Sequence, residues 1–139
     1  MTDILERLAI GDLGDLKNLG NGVGCVLNVA EEVEVTPPLE YRKIPLKDGS
    51  IIPPSQMQEA ICWIRDRVGS KKVLVACHYG VGRSASIVIG YLCSLGFGYQ
   101  EALDFVSSKK PKITPMPKLE ETIKESLQGS KEMARCISP

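Results

Sequence analysis

The chain has 139 residues, 43% of them hydrophobic and 24% charged, enough apolar material for one buried core under an ordinary polar surface. Its 17 basic and 17 acidic side chains cancel, so no global field favours nucleic acid or an anionic membrane, and affinity for an anion must come from a local site. No apolar run approaches the roughly 18 residues that span a bilayer, and the acidic residues 1–7 lack an apolar signal core. Five cysteines without a Cys-x-x-Cys pair, beside a single histidine, give no zinc spacing. They suit reduced thiols in the cytoplasm, and neither a metal nor another cofactor is expected.

Residues 7–10 read as a short first strand and 12–19 as a short helix or turn. The apolar run at 25–30 reads as a buried strand, the acidic 31–40 with Pro37 and Pro38 as a surface loop, and 41–45 as another strand. Ser55 with Gln58 three positions on has a capping-box pattern. Met57, Ile61, Ile64 and Val68 then line one face of a helix ending near Gly69. The β-branched stretch 72–76 predicts a strand, and 84–95, apolar nearly all round, predicts a helix in the middle of the domain. Ala102, Phe105 and Val106 mark a further helix stopped by Pro111, and Leu119, Ile123 and Leu127 a last one. Strands alternating with helices, then helices alone, predict an α/β domain with a central, mostly parallel sheet of about four to five strands flanked by helices. Residues 129–139 carry no pattern and are expected to be a frayed tail beyond a domain at 1–128.

In such sheets ligands sit beyond the carboxyl ends of the strands. The segment after 72–76 reads Cys77, His78, Tyr79, Gly80, Val81, Gly82, Arg83, Ser84. A cysteine six positions before an arginine is weak evidence by itself. Its context is not: a buried strand precedes it, a buried helix follows, and two glycines lie inside it. A short loop winding into a helix N-terminus aims successive backbone N–H groups at one point and makes a concave anion site. Glycine at 80 and 82 lets the backbone approach a ligand without a Cβ in the way. The same field favours a thiolate at Cys77 over a thiol. Arg83 adds a permanent charge and a planar fork matching two phosphoryl oxygens. A cation is poorly placed in the first turn of a helix, and a bound anion would remove that conflict. His78 adjoins Cys77 in a tight loop, where neighbouring side chains point apart, so it is expected to shape the pocket rim rather than act as a base. The same loop also fits Gly-x-Gly-x-x-Ala with Glu101 about 20 residues on. That acid should end a strand, and 100–105 reads as helix, so the dinucleotide fingerprint is taken as accidental.

The loop resembles the Cys-x-x-Gly-x-x-Arg-Ser/Thr signature of the dual-specificity branch of the cysteine-dependent protein tyrosine phosphatases, here Cys77, Gly80, Arg83 and Ser84. The similarity extends over residues 8 to 127, including 10–12, 26–30, 41–48 and 111–115. It implies a phosphatase-like three-layer sandwich and hydrolysis of phosphotyrosine, and of phosphoserine or phosphothreonine, through a cysteinyl-phosphate. The family's roles would fall on Cys77 as nucleophile, Asp48 as general acid and Ser84 as the hydroxyl stabilising the departing thiolate. Backbone amides of His78, Tyr79, Gly80, Val81, Gly82 and Arg83, with the Arg83 side chain, would hold the phosphoryl oxygens. Phosphoprotein substrates, a monomer and no nucleic-acid or membrane partner are the corresponding expectations. The family usually carries histidine before the cysteine, where this chain has Ala76, so an altered pH profile is expected. Asn28 is a candidate support of the loop. A phosphate-binding pseudophosphatase and a rhodanese-type sulfurtransferase are the alternatives. The absence of lysine at 78, 79, 81 and 82 argues against a polyphosphorylated inositol headgroup.

Overall fold

The structure, a computed structural model, describes residues 1–20 and 22–128, and it opens on a strand absent from the sequence expectations. β1 (Thr2–Leu5) pairs antiparallel with β2 (Leu8–Gly11) across a tight turn at Glu6 and Arg7. Only Ile4 of β1 is buried. An edge strand held mainly by backbone pairing leaves little apolar pattern in the sequence.

β3 (Val23–Ala30), β4 (Glu40–Leu46) and β5 (Lys72–Ala76) are the strands read from the sequence, with somewhat wider bounds for the first two. The sheet runs β1-β2-β5-β3-β4. The β2–β5, β5–β3 and β3–β4 pairs are parallel, so the sheet is mostly parallel as expected and mixed only through β1. Central β5 is buried from Val73 to Ala76, which is why it reads as a continuous apolar run rather than an alternating one.

α1 (Leu13–Lys17) starts at a capping box, with the Asp12 carboxylate accepting from Asp15 N–H at 3.0 Å and the Asp15 carboxylate accepting from Asp12 N–H at 2.9 Å. α2 (Pro54–Arg67) departs from its expected start. Pro53 is the N-cap, no side chain caps the helix, and the Ser55–Gln58 box does not form. Pro54 presets the helical φ one residue before Ser55 and has no N–H needing a partner, so the first turn is already made there. α3 (Arg83–Ser94) is buried continuously from Arg83 to Leu92. Withdrawing each of its Ile87, Val88, Ile89 and Leu92 side chains from water contributes about 1.5–3 kcal/mol. α4 (Tyr99–Lys109) and α5 (Leu119–Gln128) complete the helical layer with α2 and α3, while α1 packs chiefly on β2 and β5. Glu101 lies in the first turn of α4 and accepts from Gly98 N–H at 3.3 Å. It caps a helix instead of ending a strand, so the dinucleotide reading has no structural counterpart. The expected tail at 129–139 lies outside the described residues.

The parallel strands share one direction, so β2, β5, β3 and β4 deliver their carboxyl ends to one edge of the sheet. The chain leaves that edge at Asp12, Cys77, Glu31 and Lys47. Four separate loops meet there, and they build the site.

Candidate active site

Cys77 follows the central strand directly. Its amide donates to Gly11 O at 3.3 Å and the next carbonyl, of His78, accepts from Leu13 N–H at 3.0 Å, so the loop is moored to the adjacent strand end and to α1. Gly80 sits at φ +73°, in the left-handed region, and a Cβ there would stand 3.0 Å from Gly11 O. Glycine meets both demands, the turn and the close approach. On the other side Val81 O accepts from Thr114 N–H at 2.7 Å, and Ser86 Oγ accepts from Met116 N–H at 2.9 Å. These bonds tie loop and helix to the segment between α4 and α5.

The loop closes around the sulfur. Gly80 N–H donates to Cys77 Sγ at 3.2 Å, and Ser84 Oγ lies 3.1 Å from it. In the pair with Ser84 either the hydroxyl or the thiol can be the donor. Cys77 is 2% exposed and is a free thiol, as are Cys25 and Cys93. The amides of His78, Tyr79, Val81 and Gly82 donate to no acceptor among the described residues. They are the donors expected of an anion cradle.

Arg83 is 1% exposed, and its guanidinium is held from behind. Nη1 and Nη2 each donate to a carboxylate oxygen of Glu32 at 2.7 Å, and Nη1 also donates to Leu46 O at 2.9 Å. Of the five N–H groups of a guanidinium, these use three. The Nε–H and one Nη2–H remain, side by side on one edge. Nε has no hydrogen-bond partner, the sole such case among the buried side-chain nitrogens and oxygens described. The end fork expected to meet an anion is therefore engaged by Glu32, and the free edge faces the cavity. Glu32 also resolves the misplaced cation at the helix start. In return, hydrogen bonding to Arg83 holds the Glu32 carboxyl down at about 2, and the same bond raises Arg83 further above its ordinary value.

Asp48 lies past the end of β4 in an exposed turn, its side chain 59% exposed. Its Oδ1 is 3.9 Å from Arg83 Nε, too far for a hydrogen bond. It lines one cavity of about 160 Å³ with Cys77, Arg83, Tyr79, Val81 and Gly82. Ser84 reaches the sulfur from α3, outside that lining. His78 turns to a neighbouring cavity of about 230 Å³ shared with Lys17 and Glu32, and its ring meets Tyr79 edge-on at 4.2 Å between centroids. A larger cavity of about 630 Å³ lies between residues 16–20 and 35–39, with neither a cysteine nor an arginine in its lining, so chemistry rather than size selects the candidate site.

Sequence reasoning missed Glu32 and Thr114. Glu32 sits two positions past a parallel strand end, the place where site residues are expected, but nothing separated it from Glu31. Thr114 completes the lining of the 160 Å³ cavity and had no signal of its own beyond lying in a segment of family similarity. Asn28, fully buried, donates to Val33 O at 2.9 Å and Tyr41 Oη at 3.1 Å. It supports the Glu32 loop rather than the cysteine loop. Ala76, in the place of the family's histidine, is fully buried beside it in strand register.

The family model "Dual specificity phosphatase, catalytic domain" matches residues 15–128. The chain belongs to that family. Dual specificity protein phosphatase 15 of Mus musculus is 28% identical over 133 residues, covering 90% of this chain and 57% of that protein. Human dual specificity protein phosphatase 7 is 35% identical over 124 residues, covering 81% of this chain and 29% of that one. The chain thus spans little more than half of the first relative and less than a third of the second. The crystal structure of DUSP15 superposes with a TM-score of 0.83 at 25% identity, covering 97% of this chain and 92% of that chain. Tk-PTP in its active form gives 0.77 at 26% identity, covering 92% and 96%. The five-stranded mixed sheet flanked by helices is the fold of these phosphatases.

Proposed function

We propose that residues 1–128 form the catalytic domain of a protein phosphatase that hydrolyses phosphotyrosine, together with phosphoserine or phosphothreonine, in two steps through Cys77. The observation carrying this reading is the convergence on one cavity of Cys77, whose sulfur accepts from Gly80 N–H, of Tyr79, Val81 and Gly82 with their uncommitted amides, and of a buried guanidinium with an unpartnered Nε. Three negatively charged phosphoryl oxygens match that donor set, which is preorganised where charge accumulates in the transition state.

In the first step the Cys77 thiolate attacks phosphorus, the bond to the leaving oxygen breaks, and Asp48 gives that oxygen its proton. In the second, water attacks the cysteinyl-phosphate, the Asp48 carboxylate takes a proton from it, and the S–P bond breaks. Ser84 donates to the sulfur as it regains its charge. No step calls for a metal ion. The small cavity and the absence of loop lysines support protein monoesters over polyphosphorylated headgroups. The balanced charge supports phosphoproteins rather than nucleic acid or a membrane surface as partners, and a cytoplasmic monomer completes the proposal. Among the described residues no helix is long and apolar enough to cross a membrane.

Turnover of a small aryl phosphate in the presence of chelator tests the reading. Vanadate should inhibit, and Cys77→Ser should lower kcat by about 10⁴-fold or more. Full activity in Cys77→Ser, or indifference to vanadate, overturns it.

A further inference from the structure

Arg83 is aimed by Glu32, and Glu32 belongs to a loop that needs fixing in its turn. Residues 31–34 have no regular structure, and the Glu32 side chain is 47% exposed. Backbone bonds from Glu31 N–H to Leu46 O and from Val33 N–H to Ala30 O, both at 3.2 Å, hold the segment in part, but a half-exposed carboxylate makes a weak ion pair, because holding both partners in one geometry costs side-chain entropy. Here the backbone is tied on both sides of Glu32 by one side chain. Lys43 Nζ, reaching from β4, donates to Glu31 O at 2.9 Å and to Val33 O at 3.0 Å, and the same ammonium pairs with the Glu34 carboxylate. An ammonium has three donors, and all three end within two positions of Glu32. The Lys43 side chain is only 20% exposed, although β4 is an edge strand where a lysine would ordinarily stay in water. Asn28 adds a second bond to Val33 O from β3.

We propose that Lys43 is a positioning residue for phosphate binding. By fixing the carbonyls before and after Glu32 it fixes the carboxylate, and the carboxylate turns the free Nε–Nη2 edge of Arg83 toward the cavity. This inference rests on the reading of Arg83 as the phosphate clamp.

A double-mutant cycle with vanadate as the probe separates this role from a merely structural one. Lys43→Met should weaken vanadate inhibition about tenfold, since an ångström of misplacement is costly at such a site. Lys43→Arg, which keeps several donors, should stay within about twofold of the unaltered protein. In a Glu32→Ala background, where the relay is already cut, Lys43→Met should add less than about twofold. If Lys43→Met fails to fold by circular dichroism, the same cycle is run with Lys43→Gln, whose shorter amide reaches at most one of the carbonyls. Equal weakening in both backgrounds, or none in either, overturns the proposal and leaves the phosphatase reading intact. Unchanged vanadate affinity in Arg83→Lys overturns the clamp reading itself, a distinct result.

Discussion

The two sides of the cavity are built on different principles. On one side the loop from Cys77 to Arg83 is bound to β2, to α1 and to the segment before α5, and its arginine is locked by Glu32 and Leu46 O. On the other, Asp48 sits in a turn closed by one long bond, Ser50 N–H to Lys47 O at 3.3 Å, with its carboxylate mostly in water. Asp48 also stands before the free edge of Arg83, where a phosphoryl group would lie. The proposed anion site is thus assembled in advance, whereas Asp48, as the proposed proton donor, would have to give way and re-form its contacts around the substrate. Donors that stabilise charge gain from being fixed, because no reorganisation is needed as the reaction proceeds. An acid that follows a leaving group of variable shape gains from a mobile turn.

Removing the exposed partner, Asp48, tests the contrast most severely. Asp48→Asn should lower kcat by about 10²-fold for an alkyl or phenyl ester, and much less for a nitrophenyl ester whose oxygen leaves without a proton. Vanadate affinity should not fall, since the donors of the anion side are kept and a negative charge beside Arg83 is removed. A uniform loss across leaving groups, read from steady-state kinetics on an aryl phosphate series, takes Asp48 out of the acid role.

The fixed side is probed by its glycines. Gly80 needs positive φ and abuts the Gly11 backbone, whereas a Cβ at Gly82 would meet the tip of the flexible Met116 side chain at 2.7 Å. Gly80→Ala should therefore cost about 1–2 kcal/mol of stability, and about tenfold in kcat/KM as the loop shifts. Gly82→Ala should be tolerated through a small movement of Met116. Equal effects of the two substitutions, by thermal melts and kinetics, would show that the mooring to β2 does not set the loop's shape.

The same division decides what could be read from the chain alone. Cys77, Gly80, Arg83 and Ser84 are covalently close, so their arrangement is written in one short stretch between a strand and a helix with strong apolar patterns. Glu32 and Lys43 act across the sheet, through bonds to Arg83 and to loop carbonyls, and no local pattern encodes which strand end will face which. β1 was hidden for a related reason, since its pairing is made by backbone and its one buried residue leaves no periodicity. At Ser55 a valid capping pattern was present, and Pro54 settled the helix start before it could act.

The gentlest test bears on the lock between the two halves of the fixed side. Glu32 is held down from 4.5 to about 2, chiefly by hydrogen bonding to Arg83. A carboxyl lowered on folding stabilises the folded state above its unfolded value, here about 4.5, and that contribution is lost as pH falls through about 2. Half-exposure of the side chain screens the pair, so the contribution is set at about 1 kcal/mol rather than the larger figure the shift alone would give. Glu32→Gln should therefore be less stable than the unaltered protein at pH 6 in urea unfolding, and the gap should shrink progressively between pH 4.5 and 2. A gap that stays constant over that range would mean that the carboxylate does not grip the guanidinium in solution. The free edge of Arg83 would then have no fixed direction, and the fixed side would be no better ordered than the turn that carries Asp48.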